Sequence, residues 1–305
     1  MMAKLIDSWI RRLTAPDVPA AVFHVARGSL GGLRRARKSA SVKSSVVRSL
    51  PAGLVEPSYD KPNLPRPEEF QAAVKDAVRR IGSPEGPVAL LLPETSVKTV
   101  LLSFDSLPPA PDEREKIIRW RLARTLPLPP AETRLSFAVS RTNGRARAFC
   151  VLAAAGVVRE YEKAFAAAGL DVRTVGLPTP ALLGCLPKNG PANQVIVNIE
   201  EDYFAALAIL DGGPALFRVK PLSTGNLWEE AAEETAATLR FLEDREKKEI
   251  ESVWLRPAAG GDAGTGAALI QSRVSRPVRI LPGDGSTGIP PADRIRLAPL
   301  LGQLS

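Results

Sequence analysis

Few side chains in this sequence can do chemistry, and their spacing narrows what that chemistry is. His24 is the only histidine, so a metal site of paired histidines is excluded and a Ser–His relay has one candidate. Set in the apolar stretch Ala20–Ala26, it reads as a core or edge residue. Cys150 and Cys185 stand far apart in apolar contexts, which fits buried thiols in a reducing compartment better than a disulfide framework. Glu200-Glu201-Asp202 puts three carboxylates in a row where a cation can bind. A solvated turn between two strands accounts for them without a ligand. Arg34–Lys38 (RRARK) offers contacts to phosphates of lipid or nucleic acid, and its alternative is a strand edge whose charges discourage pairing. Lys4–Leu13 (KLIDSWIRRL) sets Leu5, Ile6, Trp9, Ile10 and Leu13 on one helical face, with Lys4, Arg11 and Arg12 opposite. Such a short basic helix either binds an anionic membrane surface weakly or docks on its own domain or a partner.

Charge and composition exclude several classes. The net charge is +8, and residues 1–50 hold 10 of the 41 Lys and Arg but 2 of the 33 Asp and Glu. The basic excess is therefore local to that segment, and no nucleic-acid partner is expected. At 305 residues, 45% hydrophobic and 24% charged, the chain is long enough for one large or two moderate globular domains. No apolar run approaches the ~18 residues of a membrane span. Met1–Thr14 lacks the apolar core and cleavage site of a secretory leader.

The elements that must position these residues come in two similar series. Val195–Ile199, Phe204–Leu210 and Pro214–Val219 are three apolar runs, the last two joined by Asp211-Gly212-Gly213, which supplies the positive φ of a tight hairpin. They predict an antiparallel three-strand meander. A helix from Leu227 follows, with Asn226 and Glu229 spaced as a capping box and Leu227, Trp228, Ala231, Ala232, Thr235, Leu239 and Leu242 on one face. Next come a strand at Glu251–Arg256 and the Gly260-Gly261 break. Earlier, Ala20–Ala26, Leu30–Ala36 and Val42–Leu50 predict a second meander, and a helix over Glu68–Ile81 and a strand over Pro87–Leu92 follow it. The order repeats. Between the series lie a strand at Lys98–Phe104, a helix from about Asp112 to Leu126, and a hairpin around Asn143-Gly144. A helix at Val157–Ala168, a strand at Asp171–Gly176 and a short helix at Pro178–Leu186 follow, and the chain closes on an apolar tail at Ile295–Leu304.

Two units of meander and helix–strand–helix describe an α/β fold, the duplicated actin-like ATPase (ribonuclease H-like) fold. The sequence resembles the PilM family of type IV pilus assembly proteins, with the likeness carried by LLLPETSVKTVLLSF (90–104), EREKIIRWRLARTLPLPPAETRLSFAV (113–139), VLAAAGVVREYEKAFAAAGLDVRTV (151–175) and VIVNIEEDYFAALAILDGGPALFRVKPLSTG (195–225). The second block is similar to the small subdomain inserted in PilM and FtsA. The resemblance implies an N-terminal amphipathic helix over 1–14, a first unit over 15–190 with the insert at about 93–155, and a second unit over 191–305.

It also implies a nucleotide site made by a glycine-rich hairpin after the first strand, an Asp-x-Gly hairpin opening the second unit, and a Gly-Gly loop. Here these positions are Gly28 and Ser29, Asn198 and Glu200, and Gly260 and Gly261. The first two hairpins lack Asp-x-Gly, and Glu200 sets a carboxylate where a phosphate would sit. The site is expected to be degenerate, without a cofactor; retention of ATP and magnesium, as an active ATPase, is the alternative. The expected function is that of a cytoplasmic scaffold of a pilus or related secretion machine, peripheral to the inner membrane. PilM-like proteins bind the short cytoplasmic N-terminal segment of a bitopic partner, PilN, in a groove beside the inserted subdomain. Ile117, Trp120 and Arg121 are the candidate partner contacts, although Trp120 reads more as core than as an exposed anchor. Lys4, Trp9, Arg11 and Arg12 are the candidate contacts to an anionic membrane surface, and homo-oligomers are a further expected form.

Overall fold

Alternating apolar residues and tight turns build two sheets of one design. The computed structural model describes residues 18–36, 41–126, 132–142, 144–223, 225–259, 263–282 and 288–304. β1 (Ala21–Val25), β2 (Ser29–Arg35) and β3 (Val42–Ser49) form an antiparallel meander. All of β1 is buried, as a strand covered on both faces must be. α1 (Pro67–Ile81) opens on Pro67, Glu68 and Glu69 and closes on Arg79 and Arg80, in the charge order its dipole favours. It buries Phe70, Val74 and Ile81 on the sheet, each side chain contributing about 1.5–3 kcal/mol. β4 (Val88–Leu91) then joins β1 in parallel. β2 lies between β1 and β3, so Arg34 and Arg35 end an interior strand and do not blunt a sheet edge. Arg34 donates to the Ser83 carbonyl at 3.0 Å; Arg37 and Lys38 lie outside the described residues.

β5 (Lys98–Phe104), α2 (Pro111–Thr125), β6 (Thr133–Thr142) and β7 (Arg145–Ala154) make a small antiparallel sheet of order β5-β7-β6 with one helix on it. α2 buries Ile118 and Leu122 against Leu102, Ala148 and Cys150. Trp120 is not core: it is 56% exposed, and Ile117 is 39% exposed. Ile118 and Leu122, four apart, occupy the inward stripe, and Trp120 sits about 200° around the helix from Ile118. Arg124 lies over its ring, 4.4 Å from the centroid. α3 (Ala155–Ala166) returns to the first core, where Phe165 meets Phe23 edge-on at 5.2 Å. β8 (Val172–Gly176) completes the order β3-β2-β1-β4-β8.

α4 (Pro178–Ala181) and a 3-10 turn at Leu182–Cys185 cross to the second unit. There β9 (Gln194–Ile199), β10 (Tyr203–Leu210) and β11 (Gly213–Pro221) form the second meander. α5 (Leu227–Glu246), β12 (Ser252–Pro257), α6 (Ala263–Arg273), β13 (Val278–Ile280) and α7 (Pro291–Leu304) follow. The sheet order β11-β10-β9-β12-β13 repeats that of the first unit. The expected capping box at Asn226 does not form. Instead the Glu230 carboxylate accepts from the Ser223 amide at 2.9 Å. The apolar tail is a helix, α7, that runs through Pro299 and lays Leu297, Leu300 and Leu304 on Val22, Leu33, Ala89 and Leu91 of the first sheet. The inserted sheet leans on the second unit through Phe149 and Phe217, 5.2 Å apart, and through Arg147 and Glu246 at 2.8 Å.

Candidate functional site

β1 and β9 occupy the same place in the two sheets, and the hairpins that follow them face each other across the seam between the units. Glu201 lies against Gly28 so closely that a Cβ on Gly28 would sit 2.4 Å from its Oε2. Arg27 reaches Asp202 at 3.6 Å, and Nε2 of His24 stands 3.7 Å from Oε1 of Glu200. Glu200, the first of the three carboxylates, is 4% exposed and so is not part of the solvated run that the sequence suggests, while Glu201 is exposed.

Arg256 is what allows Glu200 to be buried. It projects from β12, is 1% exposed, and donates through Nη1 to Glu200 and to Asn198 Oδ1, the latter at 2.8 Å. Its Nε donates to the Ile295 carbonyl at 2.8 Å and its Nη2 to the Arg296 carbonyl at 2.9 Å. Pro299 explains why a helical carbonyl is free to accept. Proline has no N–H, so the carbonyl four residues earlier, that of Ile295, loses its partner within α7. The guanidinium supplies one from outside.

A second buried node adjoins it. Glu94, just after β4, accepts the Thr179 amide at 2.7 Å and the Tyr203 hydroxyl. The Asn198 amide donates to Thr179 Oγ1 at 3.0 Å. Burial pushes the Glu94 carboxyl above the usual carboxylate range, against its hydrogen bonds to Tyr203 and Thr179. Burial also holds His24 neutral: its pKa falls from 6.5 to about 4, with Glu200 opposing the shift and Arg256 adding to it. His24 Nε2 has no hydrogen-bond partner.

Of the expected nucleotide positions, Gly28 meets Glu201 of the hairpin that carries Asn198 and Glu200, and Ser29 follows it at the start of β2; Gly260 and Gly261 lie outside the described residues. A magnesium–triphosphate does not fit the hairpins as they stand. Glu201 fills the approach to Gly28, Glu200 is committed to Arg256, and the Asn198 side chain is neutral and held by Thr179 and Arg256. Among the described residues no cluster of three or more His, Cys, Asp or Glu side chains could hold a metal ion. Sequence reasoning missed Arg256, Glu94, Tyr203 and Pro299. A lone arginine directly after the apolar run Val253–Leu255, inside the same strand, is a signal that could have found the first.

A separate cleft of about 250 Å³ opens between the inserted sheet and the first unit. Leu92, Val151, Val158 and Leu177 give it apolar walls, with Ser136 of β6 and Gln303 of α7 at its polar points. The consecutive residues Arg134, Leu135 and Ser136 all border it. β7 lines it with the alternate residues Phe149, Val151 and Ala153, and β6 with Arg134 and Ser136, the cross-strand partners of Ala153 and Val151, so the cleft lies on one face of the inserted sheet beside its edge strand β6. Ile117, Trp120 and Arg121 do not reach this cleft. Lys4, Trp9, Arg11 and Arg12 lie outside the described residues, and no helix among the described residues is long and apolar enough to cross a membrane.

No protein-family model matches the sequence, and no curated protein matches it. Among solved structures, the chain is similar to one from the PilM–PilN type IV pilus biogenesis complex, with 16% identity and a TM-score of 0.78 over 94% of this chain and 98% of that one. It is also similar to a Bacteroides thetaiotaomicron protein of actin-like ATPase fold and unknown function (9%, TM-score 0.55, 92% and 94% covered). A third is the cytoplasmic domain of EpsL, an inner-membrane component of the type II secretion system of Vibrio cholerae (13%, TM-score 0.52, 93% of each chain). The fold is the duplicated actin-like ATPase fold, with a small sheet and helix inserted in the first unit.

Proposed function

We propose that this chain is a PilM-like scaffold of a type IV pilus or related secretion machine, and that it holds the cytoplasmic N-terminal segment of a bitopic inner-membrane partner in the cleft beside the inserted sheet. The observation that carries this reading is the cleft itself. It is an apolar slot on one face of the inserted sheet, which suits a peptide segment that seats apolar side chains on Val151 and Val158 and meets polar groups at Ser136 and Gln303. The likeness to a PilM–PilN complex supports the same partner class. The work is binding and not catalysis, and it is done on the cytoplasmic face.

Two further contacts belong to this reading. The outward face of α2, with Ile117, Trp120 and Arg121, touches the partner outside the cleft. The basic stretch with Lys4, Trp9, Arg11 and Arg12 adds weak affinity for anionic lipid. Co-sedimentation with anionic liposomes, with and without residues 1–14, tests the second; equal binding removes it.

The main test is a calorimetric titration with a synthetic peptide that copies the cytoplasmic leader of a single-span protein encoded beside this chain. Ser136 is exposed, so Ser136→Trp fills the cleft without touching the core. Micromolar binding by the wild type, lost at least tenfold in Ser136→Trp at an unchanged melting temperature, supports the cleft. Equal binding by both overturns it.

A further inference from the structure

Among the described residues, Arg256 is the arginine taken most completely out of water. A guanidinium so placed is costly unless its donors are matched, and here they are matched by groups from different bodies. Asn198 and Glu200 belong to the second sheet. Ile295 and Arg296 belong to α7, whose apolar side is embedded in the first sheet. His24, from the first sheet, faces the same Glu200 oxygen. One side chain thus ties the second sheet to a helix that the first sheet holds.

We infer that Arg256 is a permanent clasp of the seam, one that keeps the two units in a single closed arrangement with no bound ligand. The cleft beside the inserted sheet depends on that arrangement, because Gln303 of α7 and Leu177 and Pro180 at the crossing are parts of its wall. If that cleft holds the partner, as the proposed function has it, its shape is set by Arg256 and not by nucleotide. The clasp itself is independent of that reading, since it is measured without partner.

Spin labels on the full chain at Lys75→Cys (α1) and Glu233→Cys (α5), both exposed sites, report the separation of the units by pulsed electron resonance. Cys150 is buried, and the half-buried Cys185 is replaced by Ala in every labelled chain so that only the introduced thiols react. A single narrow distance is expected, unchanged by millimolar Mg–ATP. Arg256→Met adds a second, longer population. Glu200→Gln, a milder change that keeps the side chain's volume, adds a smaller one if Arg256→Met does not fold. Pro299→Ala in the Arg256→Met background returns an amide donor to the Ile295 carbonyl, so it recovers melting temperature but not the narrow distance. Three results overturn the clasp: a narrow distance in both seam variants, a shift of the wild type with Mg–ATP, or restoration of the narrow distance by Pro299→Ala, which would make Arg256 a helix patch only.

Discussion

Gly184 and Gly302 meet backbone to backbone where the two crossing segments pass. A Cβ on Gly184 would lie 2.0 Å from the Gly302 carbonyl oxygen, and one on Gly302 would lie 2.0 Å from the carbonyl oxygen of Ala181. Neither residue carries a positive φ, so the need for glycine is space alone. Neither obstacle is a side chain that could swing away. Gly302→Ala is therefore expected to destabilise the chain by about 3 kcal/mol or more, at the upper end for overpacking. Urea denaturation checks this, and a loss under about 1 kcal/mol means the crossing can part.

His24 makes stability depend on pH in a definite window. Its folded pKa is about 4, below the ordinary 6.5. Between those values the unfolded chain binds a proton that the folded chain does not, so stability falls as pH falls from 6.5 towards 4. The full difference is about 3 kcal/mol. The charged and titratable groups facing His24 are Glu200 and Arg256, and both stay in place in His24→Gln. That variant should flatten the curve in this window; an unchanged slope would assign it to other groups.

Mg–ATP should bind more weakly than about 1 mM, roughly −4 kcal/mol or less favourable, with no measurable hydrolysis. The reason is electrostatic: a triphosphate entering the seam meets Glu201 at Gly28 and a Glu200 whose countercharge is already supplied. Calorimetry with Mg–ATP decides it, and a micromolar dissociation constant would promote the ATPase alternative.

Trp120 tests the outward face of α2. The ring is 56% exposed with Arg124 over it, so Trp120→Ala should change stability by no more than about 0.5 kcal/mol. Binding of the leader peptide should fall several-fold in Trp120→Ala paired with Arg121→Glu. Unchanged binding limits the partner to the cleft.

The strands and hairpins were legible because their causes are local. Asp211 and Gly212 take φ of 51° and 76°, as the Asp-Gly-Gly turn demands, and β9 is buried throughout as its apolar run implies. Trp120 misled because a tryptophan next to Ile117 and Ile118 looks like core until the helical angle is counted from Ile118 and Leu122. α7 was hidden by Pro299, which reads as a stop when no external donor is known. Arg256 could not be placed by pattern: its acceptors lie 39 to 58 residues away in sequence. The closed seam rests on that arginine, so motif departures alone suggested a weak site without revealing what fills it.

α7 also bears on how the protein is made. The first sheet receives Ile289, Leu297, Leu300 and Leu304 as its covering layer, yet these residues leave the ribosome after all five strands of the second sheet. During synthesis the first unit therefore waits with an apolar sheet face bare, a state that invites chaperone capture or aggregation. Emergence of α7 is the step that ends this exposure, so translational pausing within the second unit lengthens it.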